Sequence, residues 1–162
     1  MGVYLWINKD ILLWKRWMLE TIRKQIYLGS FKLHGDKIDF DHAINRQEML
    51  ALGDVVYFMV YKDDILKVGK AGGGGGFYSR MGQYKRGLGA DATNDKIIRT
   101  MNELMIESVE IYAIQAPRNT HTTTCIKGND LVIETPTNVG LEKYYLNLLK
   151  ESYSLIFCQQ LS

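Results

Sequence analysis

Six side chains in this sequence have the types and spacing to do chemistry together: Tyr57, Lys67, Lys70, Arg80, Tyr84 and, much further along, Glu142. Tyr57 lies in the β-branched and aromatic run Val55-Val56-Tyr57-Phe58-Met59-Val60-Tyr61, and Lys67 in Ile65-Leu66-Lys67-Val68-Gly69. The turn-like Lys62-Asp63-Asp64 between them predicts a β-hairpin. Alternate residues of adjacent strands share a face, so Tyr57 and Lys67 can lie across the hairpin from each other. Lys70 ends the second strand, Arg80 falls near the start of the next helix, and Tyr84 follows four residues later on the same helical face.

Lys67, Lys70, Arg80, Lys85 and Arg86 have no carboxylate among or between them, a local charge of +5 in a chain whose net charge is +2. Hydrolysis of a phosphodiester needs such fixed cations, because negative charge builds on the phosphoryl and leaving oxygens. The missing carboxylate is best supplied by Glu142, early in the last helix and at the edge of its apolar stripe, where it can bind a hard divalent cation whose shell water and substrate oxygens complete. Taken singly, each residue has a plainer account: a strand tyrosine usually packs, and a lone lysine or arginine is usually solvated. Their order and spacing favour the shared site.

At these positions the chain resembles the GIY-YIG endonucleases, named for two short motifs on neighbouring strands. Val55-Val56-Tyr57 stands where the first motif would be and Lys67-Val68-Gly69 where the second would be. The family's helix arginine matches Arg80, and its metal-binding glutamate matches Glu142 within Gly140-Leu141-Glu142-Lys143-Tyr144-Tyr145. The resemblance covers about residues 53 to 160. The second motif's tyrosine is replaced by Lys67, a change that is similar to one in a restriction-endonuclease branch of the family. Tyr84 stands where many members carry histidine, and an excision-repair branch has tyrosine there with a lysine equivalent to Lys70. For the asparagine that often ends the family's motif set, the nearest amides are Gln159 and Gln160.

The resemblance implies an α+β fold with a small three-stranded antiparallel sheet flanked by helices, to which this chain is expected to add an N-terminal helical extension and an inserted hairpin. It also implies metal-dependent hydrolysis of DNA, with Mg²⁺ (Mn²⁺ substituting) held by Glu142. Tyr57 would accept a proton from the attacking water or orient it, and Arg80 and Lys67 would stabilise the phosphoryl group.

The elements that must position these residues can be traced along the chain. Ile11, Trp14, Met18, Ile22 and Ile26 recur at three or four, predicting an amphipathic helix that Asp10 can cap and Gly29 can stop. A short helix is expected around Ala43 to Leu52, the hairpin from Asp54, a helix over Phe77 to Gly87, another over Asp95 to Ile106 capped by Asn94 or Thr93, and a strand over Ser108 to Gln115. Between Pro117 and Pro136, Lys127-Gly128-Asn129-Asp130 is a good turn and predicts an inserted hairpin. Thr137 or Asn138 can cap the last helix, whose stripe is Leu141, Tyr145, Leu148 and Leu149. The expected organisation is residues 1–52 as a helical extension, packing on the core or in a dimer, and 53–162 as the nuclease core.

Composition narrows the classes. A chain of 162 residues, 46% hydrophobic and 23% charged, is a folded domain rather than a disordered segment. A pI near 8.4 does not by itself mark a nucleic-acid binder, so the electrostatic case is local. The apolar run Ile11 to Trp14 is cut by Lys15 and Arg16, well short of the ~20 residues of a membrane span, so no membrane role is expected. Cys125 and Cys158 lack ligand spacing, and two free thiols with no leader pattern fit a cytoplasmic setting. His34, His42 and His121 are too dispersed for a metal cluster. The run Gly72 to Gly76 lacks the Gly-Lys-Ser/Thr ending of a nucleotide loop and suits a loop over DNA.

The expected partner is double-stranded DNA, cut on both strands in the manner of a restriction enzyme. Such cutting most simply needs two active sites, hence a homodimer, with Trp6, Trp14 and Trp17 available for its seam. The alternatives are a nuclease of relaxed specificity, and a DNA-binding module on the same scaffold that has lost hydrolysis through the lysine at 67.

Overall fold

The computed structural model describes residues 2–117, 120–135 and 137–158. Helix α1 (Gly2–Arg23) leads into strands β1 (Ile26–His34) and β2 (Lys37–His42), followed by helix α2 (Arg46–Ala51). Strands β3 (Val55–Tyr61) and β4 (Asp64–Ala71) form the expected hairpin, and helices α3 (Gly76–Tyr84) and α4 (Ala92–Glu103) come next. Strand β5 (Ser108–Gln115), the hairpin β6 (Thr120–Ile126) and β7 (Asn129–Thr135), and helix α5 (Thr137–Leu149) complete the order.

The main sheet has five strands in the order β2-β1-β5-β3-β4, each paired antiparallel with its neighbour, where three strands were expected. The two additional strands come from residues 26–42. Ile26 continues the helical spacing of Ile22, yet the helix has ended at Arg23 and Ile26 pairs with Ala113 of β5. The helix therefore starts before Asp10 and stops short of Gly29. That glycine is needed for another reason: at φ 135° it lies at a register shift in β1, and a Cβ there would sit 2.0 Å from the Asp41 carbonyl oxygen.

Helices cover both faces. On one, Tyr57 and Met59 of β3 pack with Met49 of α2, Phe77, Met81 and Tyr84 of α3, and Ile97, Ile98 and Met101 of α4. On the other, Val56, Phe58 and Val60 pack with Met18, Leu19 and Ile22 of α1 and Leu149 of α5. Strict alternation along β3 thus feeds two cores, which is why every residue from Val55 to Val60 is buried.

Three local features differ from the sequence pattern. Helix α2 is shorter than Ala43 to Leu52 because Asn45 closes a capping box with Glu48. Helix α3 ends at Tyr84 rather than Gly87. Helix α4 is capped by Asp91, whose carboxylate accepts from the Asn94 N–H at 2.8 Å, so it starts before Thr93 and Asn94. The inserted hairpin is present as a separate two-stranded sheet turning at Lys127 and Gly128, both at positive φ.

Strand β4 lies at the end of the sheet, and residues 155–157 run along its free side. The Leu155 N–H donates to the Ile65 carbonyl (3.1 Å) and the Phe157 N–H to the Leu66 carbonyl (2.9 Å). These bonds satisfy groups that an end strand would otherwise leave open. No helix among the described residues is long and apolar enough to cross a membrane.

Candidate active site

The site is built around β4. Near the turn, Tyr61 pairs with Asp64 and Val60 with Ile65, but then the register shifts: Met59 pairs with Lys67, Phe58 with Val68, Tyr57 with Gly69 and Val56 with Lys70. Leu66 is the extra residue. In an unshifted hairpin Lys67 would oppose Phe58 and point into the other core, because one residue of slip reverses every side chain. The shift puts Lys67 and Gly69 on the face of Tyr57. Lys67 is therefore on the expected face, but its partner across the strands is Met59, and Tyr57 faces Gly69 instead.

Gly69 is glycine because Tyr57 occupies its side-chain space. A Cβ at 69 would lie 2.4 Å from both Cζ and the hydroxyl of Tyr57. The phenol is held from the other side by Phe77, with ring centroids 5.1 Å apart. Its hydroxyl shares a 2.5 Å hydrogen bond with that of Tyr84 and accepts from Arg80 Nε at 3.4 Å. Burial raises the pKa of Tyr57, opposed by the charge of Arg80, and burial beside Tyr57 raises that of Tyr84 well above the ordinary phenol value. Both phenols are neutral at neutral pH. Burial works against the charge of Arg80, but the oxygens of Tyr57 and Tyr84 outweigh it and the guanidinium stays protonated. Arg80 also stacks over the Tyr84 ring at 5.1 Å and donates from Nη1 to Gln83 Oε1 at 2.6 Å, so its direction is fixed by three neighbours.

Lys70, on the opposite parity of β4, meets α5: its ammonium is 3.0 Å from Glu142 Oε2. Glu142 is well covered, with 14% of its side chain exposed, against 43% for Lys70. Lys67 is only 8% exposed, and burial lowers its pKa. No hydrogen bond to its ammonium occurs among the described residues.

These groups border one cleft of about 300 Å³ lined by Lys67, Val68, Gly69, Lys70, Arg80, Thr93, Glu142 and Cys158. It runs along the end of the sheet, so residues of both faces of β4 reach it. A larger hollow of about 610 Å³ lies beside α1, lined by Leu12, Lys15, Arg16 and Asp63 among others, and shares no residue with the site. Tyr57 and Tyr84 do not line the cleft; Tyr57 has no exposed surface and lies directly beneath Gly69. Lys85 and Arg86 are exposed after α3 and stand outside it, so three cations of the five in the sequence cluster belong to the cleft.

Glu142 is the one carboxylate lining the cleft among the described residues, and these contain no group of three or more His, Cys, Asp or Glu side chains able to hold a metal. A single buried-edge carboxylate fits Mg²⁺, which keeps most of its water and commonly takes one or two protein carboxylates plus phosphate oxygens. It does not fit a structural zinc centre, which needs four protein ligands.

Gly69, Gln83, Thr93 and Cys158 are the site residues that sequence reasoning did not assign. Gly69 could have been found from its place opposite a large tyrosine; Thr93 and Cys158 reach the cleft only through long-range packing. The side chains of Trp6 and His121, and the residues Gln159 and Gln160, lie outside the described part of the structure. Trp17 is exposed and Trp14 packs against the α1 core.

No family model matches the chain, and no curated protein matches it. The chain is similar to several solved chains, two of which are nucleases. The restriction endonuclease HPY188I in complex with product DNA aligns with a TM-score of 0.47 at 20% identity, over 82% of this chain and 78% of that one. A mutant of bacteriophage T4 EndoII aligns with a TM-score of 0.46 at 18% identity, over 78% of this chain and 87% of that one.

Proposed function

We propose that the chain is a DNA endonuclease that hydrolyses phosphodiester bonds with the help of Mg²⁺ and cuts both strands as a homodimer, in the manner of a restriction enzyme. The observation that carries this reading is the gathering of Lys67, Lys70, Arg80 and Glu142 on one cleft directly above the Tyr57–Tyr84 hydroxyl pair. The resemblance of the motifs around Tyr57, Arg80 and Glu142 to the GIY-YIG endonucleases supports it.

The residues divide the work as follows. Arg80, held by Gln83 and Tyr57, presents a fixed positive charge to a phosphoryl group. Lys67 supplies a second charge, on a mostly buried side chain with no hydrogen-bond partner among the described residues. Tyr57 is a neutral phenol beneath Gly69, so it acts not as a phenolate base but by sharing a hydrogen bond with Tyr84 and accepting from Arg80 Nε, which holds the guanidinium at the cleft. Lys70 steadies the Glu142 carboxylate against β4. Glu142 would hold the metal ion, which supplies Lewis-acid stabilisation of developing charge when bound.

Incubation with plasmid DNA and Mg²⁺ or Mn²⁺ tests the reading, and sequencing the ends distinguishes fixed sites from relaxed cutting. Tyr57→Phe and Glu142→Ala should each lower cleavage by about a hundredfold or more with the fold intact by circular dichroism. Full activity in either variant removes that residue from the mechanism. One observation favours a second reading, a DNA-binding module without hydrolysis: the Tyr57 hydroxyl has no exposed surface. Salt-sensitive DNA binding with no nicking under either metal would establish it.

A further inference from the structure

The charged groups bordering the cleft are not equally committed. Lys70 is paired with Glu142 at 3.0 Å and Arg80 with Gln83 at 2.6 Å; behind the rim, Lys96 of α4 donates to the Cys158 carbonyl at 3.0 Å. Lys67 alone has no hydrogen-bond partner among the described residues, though it is 8% exposed and lines the cleft. A buried ammonium left unpaired is costly unless an anion comes to it.

The wall facing Lys67 includes the first turn of α4. Thr93 lines this cleft and also a second one of about 300 Å³ on the far side of Arg80, bordered by Gln83, Tyr84, Asp91 and Asn94. Helix α4 has 12 residues, and its cap Asp91 takes up the Asn94 N–H, leaving the amides of Ala92 and Thr93 without an acceptor among the described residues. Thr93 also adds a hydroxyl, for which no partner occurs among the described residues. The Thr93 backbone at a helix start, its hydroxyl and the ammonium of a mostly buried lysine on one cleft are complementary to a phosphate group. The carboxylates of Asp91 and Asp95 at the same helix end, and of Glu142 on the cleft, oppose an anion, and their bonds to the Asn94 N–H, the Gly89 N–H and Lys70 limit that opposition.

We infer that the first turn of α4 is a phosphate-contacting element, in which Thr93 together with Lys67 holds a backbone phosphate of the nucleic-acid strand lying in the cleft. Thr93 is a binding residue that sets where the strand lies; it takes no part in proton transfer. The inference rests on the nuclease reading only in taking the phosphate from DNA.

The experiment measures binding of a short DNA duplex and of inorganic phosphate in EDTA, followed by cleavage with Mg²⁺. Thr93→Val should weaken duplex binding about tenfold and raise KM with little change in kcat, and Thr93→Ser should restore both. Thr93→Glu is a second variant whose fold is safe, since an acidic residue suits the first turn of a helix, yet its charge should weaken binding more than valine does. In the wild type, added phosphate should shift the amide resonances of Ala92 and Thr93. Unchanged affinity in both the valine and glutamate variants, or phosphate shifts absent from α4, overturns the subsite. Wild-type binding that depends on Thr93 without any cleavage overturns the nuclease reading and leaves the subsite standing. Cleavage indifferent to Thr93 does the reverse.

Discussion

Gly69→Ala is the sharpest probe of how the site is built. The added methyl would lie 2.4 Å from Cζ and the hydroxyl of Tyr57 and 2.9 Å from Cε1, well inside van der Waals contact. A tyrosine at the surface would swing away at little cost. Tyr57 cannot, because it is fully buried, with Phe77 and Tyr84 stacked around it at 5.1 and 6.5 Å. Overpacking of this kind costs about 1–3 kcal/mol. For a chain of this length each kcal/mol shifts Tm by about 2–4 °C, so Tm should fall by roughly 2–12 °C. The displaced hydroxyl also loses its bonds to Tyr84 and Arg80, and cleavage should drop with it. Thermal unfolding of a double-mutant cycle with Tyr57→Ala isolates the clash: in the alanine background the extra methyl has room, and its cost should vanish. Equal costs in the two backgrounds, or a Gly69→Ala protein with wild-type Tm and activity, would refute the packing argument.

Two further substitutions separate stability from function. Lys67→Met removes a charge on a mostly buried side chain that has no hydrogen bond among the described residues and should stabilise the fold by about 1–2 kcal/mol while lowering cleavage. Burial lowers the folded pKa of Lys67 below 10.5, so the unfolded state binds more protons between these values and wild-type stability rises there with pH. The advantage of methionine is thus greatest below the lowered pKa and shrinks as pH approaches the unfolded value; denaturant titrations showing a gain that grows with pH would contradict this. Asp91→Ala removes the α4 cap and should cost about 1 kcal/mol, seen as a lower Tm. It should at the same time tighten phosphate binding, because it removes one of the carboxylates near Thr93, the others being Asp95 in the same turn and Glu142 on the same cleft; weaker binding would count against the charge argument.

The central hairpin was legible because β3 and β4 are dense in β-branched and aromatic residues around a polar turn, and β5 followed for the same reason. Strands β1 and β2 were hidden: Ile26 keeps time with the helix before it, and Gly29 interrupts the alternation that would have marked a strand. Only pairing with β5 decides the matter. For the site, the face shared by Tyr57 and Lys67 was anticipated, but direct pairing assumed an even register, and the extra Leu66 is a choice the local sequence does not announce. The approach of Lys70 to Glu142 joins residues 72 apart in sequence, so spacing could not supply it and resemblance did. Thr93 was noticed only as a possible cap, since nothing in its neighbourhood reports that α4 turns its first residues toward β4.

The cover on β4 ties the strand that lines the cleft to a distant part of the chain. The β3–β4 hairpin closes over a short turn, whereas Ser154 reaches Asp64 and Cys158 reaches Val68 across 90 residues of chain each. Loop closure over such spans is entropically expensive and is repaid only after other parts have packed. The strand carrying Lys67, Gly69 and Lys70 is thus held by a local hairpin on one side and by a contact distant in sequence on the other. Without that segment the outer side of β4 would be an open template for another chain, so its cover protects the same strand that lines the candidate cleft.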